Sequence, residues 1–249
     1  MPNWKQVLEV IAARKAESPL DSVRRGFVKD LHQHTGRNVI AYYSAWLQRA
    51  ANAPNLSIND LDKNAFMASI HGMDRSLGLD LILHTPGGSI AATESLVDYL
   101  RRMFGTNIRA IIPQLAMSAG TMMACACREI VMGKESNLGP IDPQMNGMPA
   151  NGILREFEQA IKEIKQDPSR IALWQLIIGK YHPTFLQECQ NSIDWSKTVV
   201  KDWLKSGMFE GERSAASSAS KIVKSLSDYG AMKNHGRHVN IDQCKAIGL

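Results

Sequence analysis

The sequence predicts an α/β fold built on a mainly parallel sheet, and three observations predict it. Between 79 and 132, short strand-like apolar runs alternate with stretches of helical periodicity. Each strand passes into its helix through a turn of small residues. Beyond Pro143 the texture changes to helices alone, as expected for an α/β unit with a helical addition. With 249 residues and 44% apolar content, the chain can bury one large core. The division expected is an N-terminal helical arm over 1–37 and one domain over 38–249, its helical part starting at about 151.

Taken in order, residues 4 to 16 read as an amphipathic helix, with Trp4, Val7, Leu8, Ile11 and Ala12 on one face, either a docking arm or a cover for the core. Asn38 to Trp46 is a strand after the turn Thr35-Gly36-Arg37, and Ser57 to Ile70 a capped helix. Its stretch INDLDKNAF alternates acidic residues like a calcium loop but lacks the central glycine and terminal glutamate, so no metal is expected. Then follow a strand over 79–84, a glycine turn over 86–88, a helix over 90–103, a strand over 107–112, a small-residue turn over 113–118, a helix over 119–127 and a strand over 129–132. The later helices are expected over 151–166, 169–179, 184–206 and 213–228. Asp167-Pro168 and His182-Pro183 punctuate them, because a residue before proline is pushed out of helical geometry.

Composition narrows the function. The net charge of +5 is scattered over helices among Asp and Glu, which argues against nucleic acid. The four cysteines show no C-x-x-C spacing and fit a reduced, cytoplasmic setting. Charges at Lys5, Glu9 and Arg14 break the N-terminus, so it has no signal-peptide apolar core. No apolar run approaches the ~18 residues needed to span a bilayer. A soluble protein without cofactor is expected, and no phosphate-binding loop of the G-x-x-x-x-G-K-[ST] kind is present.

The chemistry concentrates in the two turns. Ligands in α/β units sit beyond the carboxyl ends of the strands, so HTPGGS and the turn around Ser118 face one cleft. The glycines of the first can present bare N–H groups to an anion, and Ser118 opens a helix whose first N–H groups are unsatisfied. An acyl substrate must approach both the hydroxyl and the donors to ~3 Å, and the small residues Gly87, Gly88, Ser89, Ala119 and Gly120 leave it room. The plainer alternative is a helix-capping serine worth ~1 kcal/mol and an ordinary Pro-Gly-Gly turn. Met117, Met122 and Met123 are read as core.

HTPGGS, AMSAGTMMA, EIVM and SNLGPIDPQ together resemble the serine dehydrogenase proteinase family, in the superfamily of signal peptide peptidase A and the Clp protease proteolytic subunit. The resemblance covers about 38 to 206, is strongest from 80 to 145, and extends weakly to HGRHVNIDQCKAIGL. It implies a crotonase-like (Clp protease-like) fold of repeated β-β-α and β-α units. It also implies a serine peptidase that cleaves unfolded chains or peptides, with Ser118 as nucleophile and the N–H groups of Gly88 and Ala119 as oxyanion donors. Further implications are a homo-oligomer and a separate regulator or unfoldase. Family members run on past Gly248-Leu249, so the chain reads as a short or trimmed member.

The base departs from the pattern. Where Clp-type peptidases carry a histidine before Gln-Pro, this chain has Ile141-Asp142-Pro143, and no histidine lies between Ser118 and His182. Signal peptide peptidase-like enzymes use a lysine, whose pKa must fall from ~10.4 toward neutrality by burial. Lys162 and Lys165 share a helix with the apolar stripe Ile153, Leu154, Phe157, Ile161 and Ile164 and read as solvated. Lys180, after IALWQLIIG and before Tyr181, has the better setting for desolvation and is the expected base of a Ser-Lys dyad, unless it only closes a helix C-terminus. Lys165, Lys162 and His182 are the alternatives. His84 is expected to be structural or to orient substrate, and Asp142 to cap a helix, to contact the base, or to do neither. Two other functions stay open: a crotonase-like acyl-CoA enzyme and an inactive peptide-binding scaffold.

Overall fold

The computed structural model describes residues 3–14, 18–50 and 53–249. The arm consists of α1 (Trp4–Ala13) and α2 (Pro19–Thr35). Asn3 and Gln6 cap α1 reciprocally, and Gly36, at φ +67°, ends α2. Positions 15 and 16 of the expected first helix, and the side chain of Trp4, lie outside the described residues. Leu8 and Val10 are exposed, so α1 covers little core.

The central sheet is parallel throughout, in the order β1 (Asn38–Tyr43), β2 (Leu79–His84), β3 (Ile108–Ile112), β5 (Glu129–Met132). Between them run α3 (Leu61–Ile70), α4 (Ile90–Phe104), β4 (Leu115–Ala116) and α5 (Ala119–Cys125). β2 is buried almost throughout, which is why its sequence, LDLILH, reads as a nearly continuous apolar run. α4 presents Leu96, Val97, Leu100 and Phe104 to the sheet at helical spacing, and α5 is buried along its whole length. All four cysteines are buried free thiols, and burial pushes that of Cys244 up to about 11.

At the amino end of the sheet, Asp80 is fully buried and takes Arg37 Nε at 2.7 Å and Arg109 Nη2 at 2.8 Å. Burial alone would raise the pKa of this carboxyl, but the two guanidinium groups outweigh it and the net shift is downward. The carboxylate thus ties the entry to β1 across β2 to β3.

A second, three-stranded layer joins β4, β6 (Asn137–Leu138) and β9 (Val239–Asn240), with β9 antiparallel to β6. A tight hairpin, β7 (Gln144–Met145) and β8 (Met148–Pro149), turns at Asn146-Gly147, both at positive φ. It leads into α6 (Ala150–Gln166), α7 (Ile171–Ile178), α8 (Phe185–Ser206), α9 (Ala215–Ser227), α10 (Tyr229–Met232) and, after β9, α11 (Ile241–Ile247). The 22-residue α8 belongs to two cores. Val199, Val200 and Leu204 join the main one with α4, α5 and α9, and Phe185, Cys189 and Ile193 form a smaller one with Ala150 and Ile153 of α6. The expected helical C-terminal part therefore packs on the sheet at one end and stands away from it at the other.

Candidate active site

The carboxyl ends of β2 and β3 bring the two small-residue turns together. Thr85 joins them, its N–H donating to the Leu115 carbonyl at 3.0 Å and its own carbonyl accepting from the Met117 N–H at 3.0 Å. The contact is so close that a Cβ on Gly87, whose φ is +101°, would lie 2.7 Å from Ser118 Cβ. At Gly120 a Cβ would lie 2.5 Å from Thr85 Cγ2. The small residues are thus required by backbone approach as well as by substrate access.

One element corrects the sequence expectation. Ser57 and Ile58 are not helical: the Ile58 N–H donates to the Gly87 carbonyl at 2.8 Å, and the Ile58 carbonyl accepts from the Ser89 N–H at 3.0 Å. Ile58 is buried, and a Cβ on Gly88 would fall onto its backbone. With these backbone groups committed to the glycine turn, the helix begins only at Leu61, after the Asn59 N–H donates to the Asp62 carboxylate.

Ser118 has φ +51° and ψ −118°, and its side chain makes no capping hydrogen bond to α5. A capping serine has extended backbone and bonds the second or third N–H of the helix. Ser118 does neither, and a left-handed φ in a residue with a Cβ costs ~1–3 kcal/mol. Gly88, Ser89, Ser118, Asp142, Gln144 and Trp195 line a cavity of about 290 Å³. Neither the Gly88 nor the Ala119 N–H donates to any described residue. Gly87 is buried beneath the turn, as is Gly120.

Asp142 is the one carboxylate among the described residues lining this cavity, and no lysine or histidine lines it. It is 2% exposed, and both its oxygens are engaged: His235 Nδ1 lies 2.9 Å from Oδ1, and Gln144 Nε2 donates to Oδ2 at 3.1 Å. The pairing of β9 with β6 brings His235 here, since His235 precedes β9 and Asp142 follows β6. Sequence reasoning missed His235. The signal lay in HGRH, a polar, histidine-bearing run just before a strand, but only the antiparallel pairing gives it a partner.

Lys180 is not brought to the cavity. It is exposed, two residues past the end of α7, and its N–H closes the helix on the Ile177 carbonyl at 3.2 Å. The apolar run before it does not desolvate it, because α7 turns Leu173 and Leu176 outward, 54% and 73% exposed. Lys162, Lys165 and His182 are exposed as well, and His182 Nδ1 is bonded to Thr184 Oγ1 at 3.0 Å. His84 packs against Trp46, ring centroids 6.2 Å apart, and burial holds its imidazole below the usual range despite an opposing contact with the Leu115 backbone. Met117, Met122 and Met123 are buried, and Met122 also reaches the cavity wall.

Among the described residues, no cluster of three or more His, Cys, Asp or Glu side chains is placed to hold a metal ion, and no helix is long and apolar enough to cross a membrane. Over 188 residues, 76% of this chain, the sequence is 36% identical to MJ0137, an uncharacterized protein of Methanocaldococcus jannaschii. A second uncharacterized protein of that organism, MJ1495, is 33% identical over 106 residues. These matches take in 58% and 36% of the two relatives, so the chain spans less than two thirds of their length. Residues 14–242 match the family described as ClpP-like SDH-type serine proteinase. The crossing of the two turns, the uncapped serine and that match give one result: the chain belongs to the ClpP-like SDH-type serine proteinase family.

Proposed function

We propose that the protein is a serine peptidase that hydrolyses peptide bonds through an acyl-enzyme on Ser118. The observation that carries this reading is the backbone of Ser118, held at φ +51° with its hydroxyl released from helix capping and turned to a cavity. The unpartnered N–H groups of Gly88 and Ala119, on the two turns that Thr85 joins, are the oxyanion donors, each worth ~3–4 kcal/mol in the transition state. Ser89, in the cavity wall, flanks the path of the substrate, whereas Gly87 and Gly120, both buried, serve the packing of the two turns.

The proton acceptor is the Asp142–His235 pair. Asp142 takes the Ser118 proton, directly or across one solvent molecule, as the hydroxyl oxygen bonds to the scissile carbonyl carbon. His235, 2.9 Å from the carboxylate, holds it in place, and the same proton returns to the leaving amine. A lysine base, as in the Ser-Lys dyad that the sequence suggests, finds no lysine at this cavity. The proposal extends to the repeated β-β-α arrangement of crotonase-like folds, supported by the sequence β3, β4, α5, β5, β6 across two sheet layers. It extends also to a homo-oligomer acting on unfolded chains in the cytoplasm with a separate unfoldase.

The test is the intact mass of the full chain after a fluorophosphonate probe. A single adduct in the wild type that is absent from Ser118→Ala supports the nucleophile. Absence of an adduct, or its persistence in Ser118→Ala, overturns the assignment and leaves a peptide-binding scaffold. Turnover of acyl-CoA thioesters without an adduct would favour the crotonase-like alternative.

A further inference from the structure

A second cavity, of about 460 Å³, opens between α6, α8 and α9, apart from the one that holds Ser118. Each helix turns residues one turn apart into it: Asn151 and Arg155 from α6, Lys197 and Lys201 from α8, Ser220 and Lys224 from α9. Amphipathic helices usually give this inward side to apolar side chains, and here Val223 is the one aliphatic residue in the lining. Lys197 and Lys201 are half-buried rather than spread in solvent. Among the described residues, none of Arg155, Lys197, Lys201 and Lys224 has a carboxylate within ion-pair distance. The single acidic side chain in the lining, Asp228, accepts the Gly230 N–H at 2.9 Å.

An independent observation points the same way. Asn151 Nδ2 is buried at this cavity and has no acceptor among the described residues. A buried donor without a partner is costly, and an acceptor that reached it would relieve that cost. The Arg155 guanidinium, 5.5 Å from the centre of the Tyr229 ring, is held by stacking rather than by a carboxylate, and its N–H groups stay available.

We propose that this cavity binds a small polyanion of the diphosphate class. Four cations against one carboxylate exceed what a single carboxylate ligand would neutralise, whereas two linked phosphates match them in charge and in acceptors. The volume is that of a small-molecule site. Free diphosphate and a nucleoside diphosphate share this chemistry, and the binding measurement separates them.

Isothermal titration of the full chain with inorganic pyrophosphate, and in parallel with ADP, tests the inference. Saturable binding of pyrophosphate at one site per chain is expected, weakening as salt is raised. It should fall about tenfold or more for each cation removed in Lys201→Gln and Lys224→Gln. ADP binding more tightly than pyrophosphate, with the same loss in the variants, would assign the site to a nucleoside diphosphate; equal or weaker ADP binding would assign it to the free anion. Circular dichroism and the Ser118 fluorophosphonate adduct, unchanged in both variants, establish that the fold is intact. No saturable binding of either probe, or binding that the two variants leave unchanged, would overturn the proposal whatever the outcome at Ser118.

Discussion

Ser118 carries backbone strain that a glycine would not, and this separates its structural cost from its chemistry. Ser118→Gly should stabilise the fold by about 1 kcal/mol, read as a rise in Tm, while removing hydrolysis and labelling altogether. A fall in Tm would count against the strained geometry. Asp142→Asn and His235→Ala should each lower kcat/KM by at least about a hundredfold, with KM little changed, whereas Lys180→Ala should stay within about twofold of wild type. The reverse ranking would return the base to Lys180. A His235→Gln variant, which can still donate to Asp142, should recover part of the loss if His235 positions the carboxylate. Gly88→Ala tests the donor turn, because its Cβ would fall onto the Ile58 backbone. It should lose labelling and destabilise by about 1–3 kcal/mol in thermal unfolding. At this scale the meeting of Ser118 with the two glycine positions was legible in the sequence, because the close approach of the two turns demands small residues there. His235 was not, since a histidine in a polar loop has no meaning until its partner is known.

The strands and their ends behave as separate devices. At the amino end, Asp80 binds Arg37 and Arg109 across the sheet, and its depressed pKa fixes the sign of a pH effect. A carboxyl held below its unfolded value contributes stability above that value, near 3.9, and loses the contribution as pH falls through the folded one. Asp80→Asn should therefore lower stability at neutral pH by about 2–3 kcal/mol, less than for a fully buried pair because solvent reaches both guanidinium groups. In urea titrations the gap from wild type should narrow below about pH 4; a gap independent of pH would assign the effect to packing. Strands β2 and β5 and helices α4 and α8 followed the sequence closely, the strands as short apolar runs between turns and the helices through the period that one-sided burial imposes. The two-residue strands β4, β6 and β9, and the single bridge residue Ile58, escaped it. They exist only through pairing with distant segments, and two residues carry no periodicity. Lys180 misled for a related reason: an apolar run implies burial only if something packs on it, and α7 leaves Leu173 and Leu176 in solvent.

Across the whole molecule the layers place the proposed hydrolysis on one rim of the parallel sheet, with Ser192 and Trp195 of α8 in the wall of the cleft. The parallel sheet and its helical addition were legible from the order of elements; the joining of the layers was not, because it depends on the return of β9 to β6. The proposed homo-oligomer is checked by sedimentation velocity, where a mass several times that of one chain is expected and a monomer at micromolar concentration would remove assembly from the proposal. The division of α8 between two cores has a dynamic consequence. Its first half rests on a handful of apolar residues and its second on the main core, so amide protons from Phe185 to Ile193 should exchange for deuterium well before those from Val199 to Leu204. Ser192 and Trp195 stand at that divide. On the proposed function, the wall of the cleft would loosen as substrate enters while the amides around Ser118 keep their protection.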